Sequence, residues 1–343
     1  MKKKALIFGI TGQDGSLLAD LLLKKNYKLY GTIKDLKDKK TNLKYLKIYE
    51  KIKYYKLKLD NPTNLSRLII KIKPNEIYNL AGIATLEESE NNVILNNKVN
   101  FDFVIKLLEN LRKIKFKIKY FQALSSEIFG KNIKKRIDEN SSLNPESPYA
   151  ISKTASLHFI KYYRKKYNLP ISTGILFNHE SIFRKNNHVC KKICDEFAKI
   201  NFGISNSFRL HNLDSYRDRG SAKDFVEAFW KILQSPNYGE FIIGTGKLVS
   251  IKEIIVHCCA FYNITPKWIN NKNRIICINN KTKKIIITIN KNNKNFKDKT
   301  KISGNINKIK KFIKWKPTID FKNIIYELCK DSLDKLKEKY YLK

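Results

Sequence analysis

A glycine-rich turn near the start of the chain constrains the fold more than any other feature. An apolar run over residues 5–10 ends in the spacing Gly9-x-x-Gly12-x-x-Gly15, and leucines recur on one face of the segment that follows. A buried strand, such a turn and a helix together present backbone N–H groups that bind a pyrophosphate. Taken alone, the glycines also fit a tight turn without a ligand. The strand before and the helix after favour a dinucleotide-binding unit.

Strand and helix patterns alternate over the first half of the chain. Short apolar runs predict strands at 4–9, 29–33, 54–59, 76–81, 116–123 and 171–177, with helices between them. Alternation with short connections requires a parallel sheet with helices on both faces. We therefore predict the α/β class, with a Rossmann-type, doubly wound parallel sheet.

The alternation weakens after residue 178, which indicates a second domain. We assign residues 1–178 to the Rossmann domain, with later returns near 212–245, and residues 179–343 mainly to a smaller, discontinuous substrate-binding domain. Within the latter, residues 265–303 are rich in Lys and Asn, and we expect irregular strands and loops that cap a cleft.

Four residues follow predicted strand ends. In a doubly wound sheet, ligands bind at the carboxyl ends of the strands. We therefore expect these four residues to converge on one site: Gly12, Ala81, Ser125 and Asn178.

The formal net charge of +38 is unusual for a globular protein of 343 residues. Such a charge is typical of proteins that bind nucleic acid or acidic membranes. Drift of the composition toward Lys, Asn and Ile explains it equally simply, because the lysines are scattered and no basic motif interleaved with aromatics occurs. We favour drift and predict no nucleic-acid partner, although the charge helps to attract an anionic substrate.

Six cysteines, at positions 190, 194, 258, 259, 277 and 329, form no paired CxxC motif. His188, Cys190 and Cys194 have the spacing of a metal cluster on a helix, but thiols packed inside the protein fit equally and a fourth ligand is missing. We predict no metal site. A chain of this length does not need a disulfide framework.

The N-terminus resembles a signal peptide only superficially. Three lysines precede the apolar run, but Gln13 and Asp14 interrupt it early. No segment is long enough to span a bilayer. We predict a cytoplasmic protein without a membrane partner.

Tyr149 and Lys153 form the second informative element. Their spacing places a phenol and an ammonium on one face of a helix that Ser147 and Pro148 start. An ammonium beside a phenol stabilises the phenolate, which makes the phenol a usable base. A surface Tyr–Lys pair is the alternative.

Ser125 and Glu127 follow the fifth predicted strand. A hydroxyl at Ser125 is placed to face the same substrate atom as Tyr149. The carboxylate of Glu127 is a candidate second acid and base. Its alternative role is to cap a nearby helix.

The end of the second predicted strand bears on the choice of cofactor. An acid at this place binds a ribose 2′-hydroxyl, and a base accepts a 2′-phosphate. Lys34 favours NADP, whereas Asp35 keeps NAD open.

Several segments carry a resemblance to a known family. The chain resembles the extended short-chain dehydrogenase/reductases, and most of all the GDP-mannose 4,6-dehydratase family. The matching segments are 9–15 (GITGQDG), 74–81 (PNEIYNLA), 126–130 (SEIFG), 147–150 (SPYA), 174–181 (GILFNHES), 213–218 (LDSYRD), 222–226 (AKDFV) and 314–317 (KWKP).

The resemblance implies roles for individual residues. Four are implied to be catalytic: Ser125, where the family has Thr, with Glu127, Tyr149 and Lys153. The implied cofactor contacts are Gly9, Thr11, Gly12, Gln13, Asp14, Gly15, Lys34, Lys58, Leu59, Leu80, Ala81, Gly82, Tyr149, Lys153, His179 and Arg184. The implied substrate contacts are Ser126, Asn178, Lys192, Arg217 and Lys297.

The resemblance further implies conversion of GDP-mannose to GDP-4-keto-6-deoxymannose by internal redox on NADP, in a homodimer or homotetramer. The alternatives are a nucleotide-sugar 4-epimerase or reductase, and a non-catalytic paralogue that binds nucleotide. One departure is that an Arg-rich diphosphate-binding segment of the family is matched only by lysines such as Lys297, which keep the charge but not the fork geometry.

Overall fold

The computed structural model describes residues 2–35, 40–83, 86–130, 136–292 and 301–341. In chain order the strands are β1 (Lys4–Phe8), β2 (Lys28–Ile33), β3 (Ile52–Lys56), β4 (Glu76–Asn79), β5 (Lys119–Ser125), β6 (Arg136–Ile137), β7 (Ile171–Leu176), β8 (Asn178–Glu180), β9 (Phe208–Leu210), β10 (Tyr216–Ser221), β11 (Glu240–Ile243), β12 (Leu248–Ser250), β13 (Pro266–Asn270), β14 (Arg274–Asn279), β15 (Ile285–Asn290) and β16 (Lys301–Gly304).

The α-helices are α1 (Gln13–Lys24), α2 (Thr41–Tyr45), α3 (Leu65–Ile72), α4 (Leu86–Asn91), α5 (Val93–Asn97), α6 (Phe103–Lys113), α7 (Pro148–Tyr167), α8 (Val189–Asn201), α9 (Ala222–Gln234), α10 (Ile251–Phe261), α11 (Asn307–Ile313) and α12 (Phe321–Tyr341). Two short 3₁₀ helices cover Tyr49–Lys51 and Ser126–Phe129, and a π-helical segment, Lys98–Asp102, joins α5 to α6.

The chain divides into two compact units, each assembled from three separated segments. The first unit comprises Met1–Phe177, Ala222–Gly244 and Gly304–Lys316, and the second comprises Asn178–Ser221, Thr245–Ser303 and Pro317–Lys343.

This division differs from the expected return near 212–245. The return begins only at Ala222, because β10 pairs with β8 inside the second unit. A further segment belongs to the first unit because Trp315 is buried there, with its indole N–H donating to the carbonyl of Asp224 at 3.1 Å.

A seven-stranded sheet forms the centre of the first unit. Its order is β11-β7-β5-β4-β1-β2-β3, and every neighbouring pair is parallel. The predicted Rossmann-type parallel sheet is therefore confirmed. All six predicted strands are present, although the third covers residues 52–56 and the fifth 119–125. The seventh strand, β11, was not predicted.

Apolar side chains on both faces of this sheet are covered by helices. All six residues of β7 are buried, as a strand inside a parallel sheet requires. Phe8 on β1 packs edge-on against Phe103 of α6, with ring centroids 5.0 Å apart. The apolar faces that the sequence periodicity predicts are therefore buried between sheet and helices. Their packing keeps the strands in register, so that the carboxyl ends of the strands form one edge.

The second unit contains two smaller sheets. Strand β10 pairs in parallel with β8 and β16 and antiparallel with β12. Strands β13, β14, β15 and β9 form the other sheet. The strands expected over 265–303 are present as β13 to β15, where isoleucines such as Ile276, Ile287 and Ile289 are buried. The pairing of β14 with β15 is irregular between Cys277 and Ile278.

Helices α8, α10 and α12 pack against one another in the core of the second unit. Cys190 and Cys194 are both fully buried there. All six cysteines of the chain are free and buried. Among the described residues, every helix is too short or too polar to cross a membrane.

Candidate active site

The glycine turn between β1 and α1 is packed too closely to accommodate side chains at two of its positions. Gly9 has a φ of +81°, and a Cβ on it would lie 2.8 Å from the backbone nitrogen of Ala81. A Cβ on Gly15 would lie 2.1 Å from the carbonyl oxygen of Gly9. Gly12 closes the turn by donating its N–H to the same oxygen at 3.1 Å. The turn therefore leads the backbone tightly into the N-terminus of α1, where helices bind phosphate groups.

The other cofactor candidates of the first unit lie along the same carboxyl edge. They follow strands β3, β2, β1 and β4, which are neighbours in the sheet. In that order they are Lys58 and Leu59; Lys34; Thr11, Gln13 and Asp14; and Leu80, Ala81 and Gly82. The structure thus brings these predicted residues to one edge.

Sequence reasoning missed Asn42 at this edge. Its side-chain amide donates to the carbonyl of Thr11 at 3.1 Å and so ties α2 to the glycine turn. No local pattern marks such a contact, because the two residues are thirty-one positions apart.

The start of α7 positions Tyr149 and Lys153. The hydroxyl of Ser147 accepts a hydrogen bond from the N–H of Ala150 at 3.1 Å, and Pro148 occupies the first helical turn. Both features fix a helix start. The Nζ atom of Lys153 lies 5.8 Å from the centroid of the Tyr149 ring. The predicted phenol and ammonium therefore share one face of α7.

Lys153 is buried, unlike most lysines in this chain. It donates from Nζ to the carbonyl of Ala123 on β5 at 3.2 Å. Burial lowers the pKa of Lys153 to about 8, which leaves the ammonium form dominant near neutral pH. The contact with β5 places the amine close to the end of the strand that bears Ser125.

Ser125 and Glu127 lie where β5 passes into a 3₁₀ helix. The hydroxyl of Ser125 accepts a hydrogen bond from the N–H of Glu127 at 3.3 Å and caps this helix. The side chain of Glu127 is exposed, and Ser125 and Ser126 are half-buried. The cap belongs to Ser125, and the side chain of Glu127 is exposed beside it.

Asn100 is a further residue that sequence reasoning missed. It lies in the π-helical segment between α5 and α6, and its amide donates to the carbonyl of Ile83 at 3.1 Å. Its Oδ1 is buried and has no hydrogen-bond partner in the part of the chain that is described. A Cβ on Gly82 would lie 2.6 Å from this oxygen and 3.4 Å from the Nζ of Lys153. Short π-helical segments are frequent at functional sites.

His179 and Arg184 belong to the second unit, as does Asn178. Asn178 and His179 open β8 and pair with Arg219 and Gly220 of β10. The expected convergence of Asn178 with the first-unit residues therefore stays a prediction.

A buried carboxylate, Glu180, lies between two guanidinium groups. Its oxygens lie 3.0 Å from Arg219 Nη1 and 3.6 Å from Arg184 Nε. Burial opposes ionisation of Glu180, yet the charges of Arg184 and Arg219 hold its pKa below the ordinary value. Arg184 is thus positioned by an ion pair that sequence reasoning did not identify.

The remaining substrate candidates are spread over the second unit. Lys192 is exposed on α8, and Arg217 is half-buried on β10. Arg217 donates from Nη1 to the hydroxyl of Ser215 at 3.1 Å and to the carbonyl of Tyr216 at 2.9 Å. Lys297 lies outside the described residues.

Comparison with known proteins identifies the family. The sequence model of the family described as GDP-mannose 4,6 dehydratase matches residues 6–328. The GDP-mannose 4,6 dehydratase of Homo sapiens is 32% identical over 333 residues, which cover 94% of this chain and 90% of the relative. That of Dictyostelium discoideum is 31% identical over 346 residues, which cover 98% and 97%.

Solved structures share the fold. A UDP-glucose 4-epimerase from Thermotoga maritima has a TM-score of 0.80 at 17% identity, covering 97% of this chain and 99% of the other. A dTDP-glucose 4,6-dehydratase from Bacillus anthracis, solved in complex with NAD, has a TM-score of 0.77 at 19% identity and covers 98% of each chain. At such identities the likeness shows the fold alone.

The burial of Lys153 predicts a pH-dependent stability. Its folded pKa of about 8 is below the ordinary 10.5, so the unfolded chain binds more protons between pH 8 and 10.5. This group therefore makes the protein more stable as pH rises through that window. In urea denaturation, we expect the free energy of unfolding of wild type to rise relative to that of Lys153→Met. The control is Lys165→Met, which removes an exposed lysine from the same helix. The prediction would be contradicted if the free energies of unfolding of wild type and Lys153→Met changed in parallel with pH.

Proposed function

The chain belongs to the GDP-mannose 4,6-dehydratase family, and we propose that it converts GDP-mannose to GDP-4-keto-6-deoxymannose with loss of one water. The observation that carries this proposal is the set of four groups between β5 and the start of α7. Ser125, Glu127, Tyr149 and Lys153 supply a hydroxyl, a carboxylate, a phenol and an ammonium. A dehydratase needs all four, whereas a protein that only binds nucleotide does not.

The first unit fits a nicotinamide dinucleotide. Gly9 and Gly15 allow close backbone packing, because a Cβ on either would collide with backbone atoms, and the turn they form leads into the N-terminus of α1. Gly12, Thr11 and Gln13 complete the turn, which suits a pyrophosphate. The chemistry that the bound cofactor supplies is the removal and return of one hydride.

Tyr149, Lys153 and Ser125 act on the sugar C4 hydroxyl. Tyr149 accepts the hydroxyl proton as C4 is oxidised, and the ammonium of Lys153 stabilises the phenolate. The hydroxyl of Ser125 donates a hydrogen bond to the oxygen that becomes the C4 carbonyl. The buried contact between Lys153 and Ala123 holds the amine in place for this work.

Glu127 acts after oxidation at C4. The new ketone acidifies the neighbouring C5–H, and the carboxylate of Glu127 removes that proton. The same group then delivers a proton to the departing C6 hydroxyl, which leaves as water. C5 regains a proton that originates from solvent when the hydride returns to C6. The exposure of Glu127 at the end of β5 suits a group that exchanges protons with substrate and solvent.

The second unit supplies the proposed nucleotide-sugar contacts. Asn178, Lys192 and Arg217 keep the roles that the family resemblance implies, and Ser126 adds a hydroxyl from the first unit. The next residue on β10, Asp218, accepts hydrogen bonds from the backbone N–H groups of Thr245 and Gly246, both at 2.8 Å, and so ties β10 to the segment between β11 and β12. His179 and Arg184 are proposed cofactor contacts.

The decisive experiment follows the product. Wild type incubated with GDP-mannose and cofactor in D₂O is expected to release a product lighter by one water that carries deuterium at C5. Glu127→Gln keeps the size of the side chain but cannot accept a proton, so both water loss and deuterium uptake are expected to fall by roughly 10²-fold or more. Mass spectrometry of the product measures both.

The control is Glu50→Gln, which changes an exposed carboxylate elsewhere in the first unit. It is expected to react at the wild-type rate, and Glu127→Gln is expected to bind GDP-mannose normally. A wild-type product of unchanged mass would indicate an epimerase instead, and stoichiometric consumption of NADPH would indicate a reductase. Elimination at the wild-type rate in Glu127→Gln would remove the proposed role of that residue.

We propose NADP as the cofactor. Lys34 is exposed immediately after β2 and offers a cation to a 2′-phosphate. Lys34→Ala is expected to weaken NADPH binding by roughly 2- to 5-fold, as loss of an exposed ionic contact does, and to leave NADH binding unchanged. Lys28→Ala, at the opposite end of the same strand, is the control. Equal or tighter binding of NADH by wild type, measured by fluorescence titration, would overturn the preference.

We propose a homodimer formed through α7 and the neighbouring α5. Ile151, Phe159 and Tyr162 lie on one face of α7 and are exposed by 54%, 41% and 54%, and Ile94 on α5 by 72%. A second copy covers such a stripe by two-fold symmetry. Ile151→Glu with Phe159→Glu is expected to give monomers in analytical ultracentrifugation, whereas Ile204→Glu in the second unit is not. A dimer that survives the double change would contradict this arrangement.

We further propose that the reaction takes place in the cytoplasm, because all six cysteines are free thiols, as a reducing compartment maintains them. Recovery of the protein in the cytosolic fraction of its source cells tests this proposal, and recovery outside that fraction would contradict it.

A further inference from the structure

Three cysteines meet in the core of the second unit. Cys194 on α8, Cys258 on α10 and Cys329 on α12 have sulfur atoms that all lie within 4.8 Å of one another. The Sγ of Cys258 is 3.8 Å from that of Cys194 and 3.7 Å from that of Cys329. We refer to these residues as the thiol triad.

The thiol triad is fully enclosed. Each of its three residues has no exposed surface, and the surrounding side chains are mainly isoleucine and phenylalanine. Each thiol comes from a different helix, so the cluster depends on the packing of α8, α10 and α12. Local spacing in the sequence, which compares only near neighbours such as Cys190 and Cys194, does not reveal it.

The three sulfur atoms of the thiol triad determine which kind of metal ion could bind there. Three sulfur ligands select soft ions and disfavour calcium and magnesium, which require oxygen. Structural zinc and iron–sulfur clusters take four protein ligands. The described residues offer only three within ligand distance, and burial excludes a water as the fourth. Cu(I) is the soft first-row ion that is stable with three sulfur ligands.

We propose that the thiol triad binds one Cu(I) ion through three sulfur atoms. A metal–sulfur bond of about 2.3 Å places three sulfurs in a plane about 4.0 Å apart around one ion. Two of the three separations, 3.7 and 3.8 Å, are within a few tenths of an ångström of that value, and the third, between Cys194 and Cys329, is at most 4.8 Å. The helices therefore need little movement to accept the ion.

The charge of the complex is limited by its apolar surroundings, since a buried charge is costly. We assign two thiolates and one thiol to the bound state. Cu⁺ then replaces two protons, no electron is transferred, and the complex carries one negative charge. The buried ammonium of Lys191, held by Asp195 and Ser332 between α8 and α12, acts electrostatically on Cys329.

Binding joins the last helix of the chain to the rest of the second unit. Cys329 is the contribution of α12, and the ion would link it to α8 and α10. An ion that binds the folded state and not the unfolded one raises stability. Entry requires local opening of the helices, which places uptake on a slower timescale than binding at a surface.

The test uses full-length protein under anaerobic conditions, with Cu(I) added in competition with a chromophoric Cu(I) chelator. Wild type is expected to retain one equivalent and to show three sulfur neighbours at about 2.3 Å in X-ray absorption. Its melting temperature is expected to rise on loading. Cys258→Ala is expected to lose the bound equivalent and the thermal shift.

Cys259→Ala is the matched control, because Cys259 is the adjacent residue, is also buried and lies outside the triad. It is expected to bind as wild type does. Should Cys258→Ala not fold, as judged by circular dichroism, Cys329→Ser replaces it. The proposal would be overturned if wild type took up no Cu(I), or if Cys258→Ala and Cys259→Ala took it up equally. The triad would then be three thiols packed in the core.

Discussion

The close approach of two backbone segments at the carboxyl edge of the sheet is the constraint on which the candidate site depends. Gly9 has no side chain, so the end of β1 contacts the backbone of Ala81 directly. The next residue, Gly82, leaves room for the Asn100 side chain and the amine of Lys153, which would lie 2.6 and 3.4 Å from a Cβ at this position. A side chain at Gly9 would push apart the glycine turn and the loop after β4. The glycine turn therefore packs against the loop after β4, and the same loop lies beside the amine of Lys153.

Local sequence patterns were enough to predict most of the strands and helices of the first unit. Apolar runs of four to seven residues between helical segments predict parallel strands, because only a sheet covered on both faces buries such runs. The i, i+4 spacing of Tyr149 and Lys153 predicts one helix face, and Ser147 with Pro148 predicts the start of that helix. These inferences need only neighbours in the chain, and the structure agrees with each.

Contacts between distant parts of the chain were not predictable in this way. Asn100 beside Gly82 and Cys194 beside Cys258 depend on how elements pack, and no spacing marks them. The bounds of the strands within 265–303 were not predictable for another reason. Lys and Asn dominate the composition of this segment, and they obscure the buried isoleucines, such as Ile276 and Ile287, along the paired strands β14 and β15.

The interleaving of the two units along the chain has a consequence for biosynthesis. Residues 1–177 supply six of the seven strands of the large sheet, but the strand at its other edge, β11, is translated more than sixty residues later. Trp315, which is fully enclosed in the same unit, is translated later still. The ribosome must therefore release nearly the whole chain before the first unit can close. Until β11 has been translated, β7 is an edge strand with one unpaired side that a nascent chain must keep from other strands.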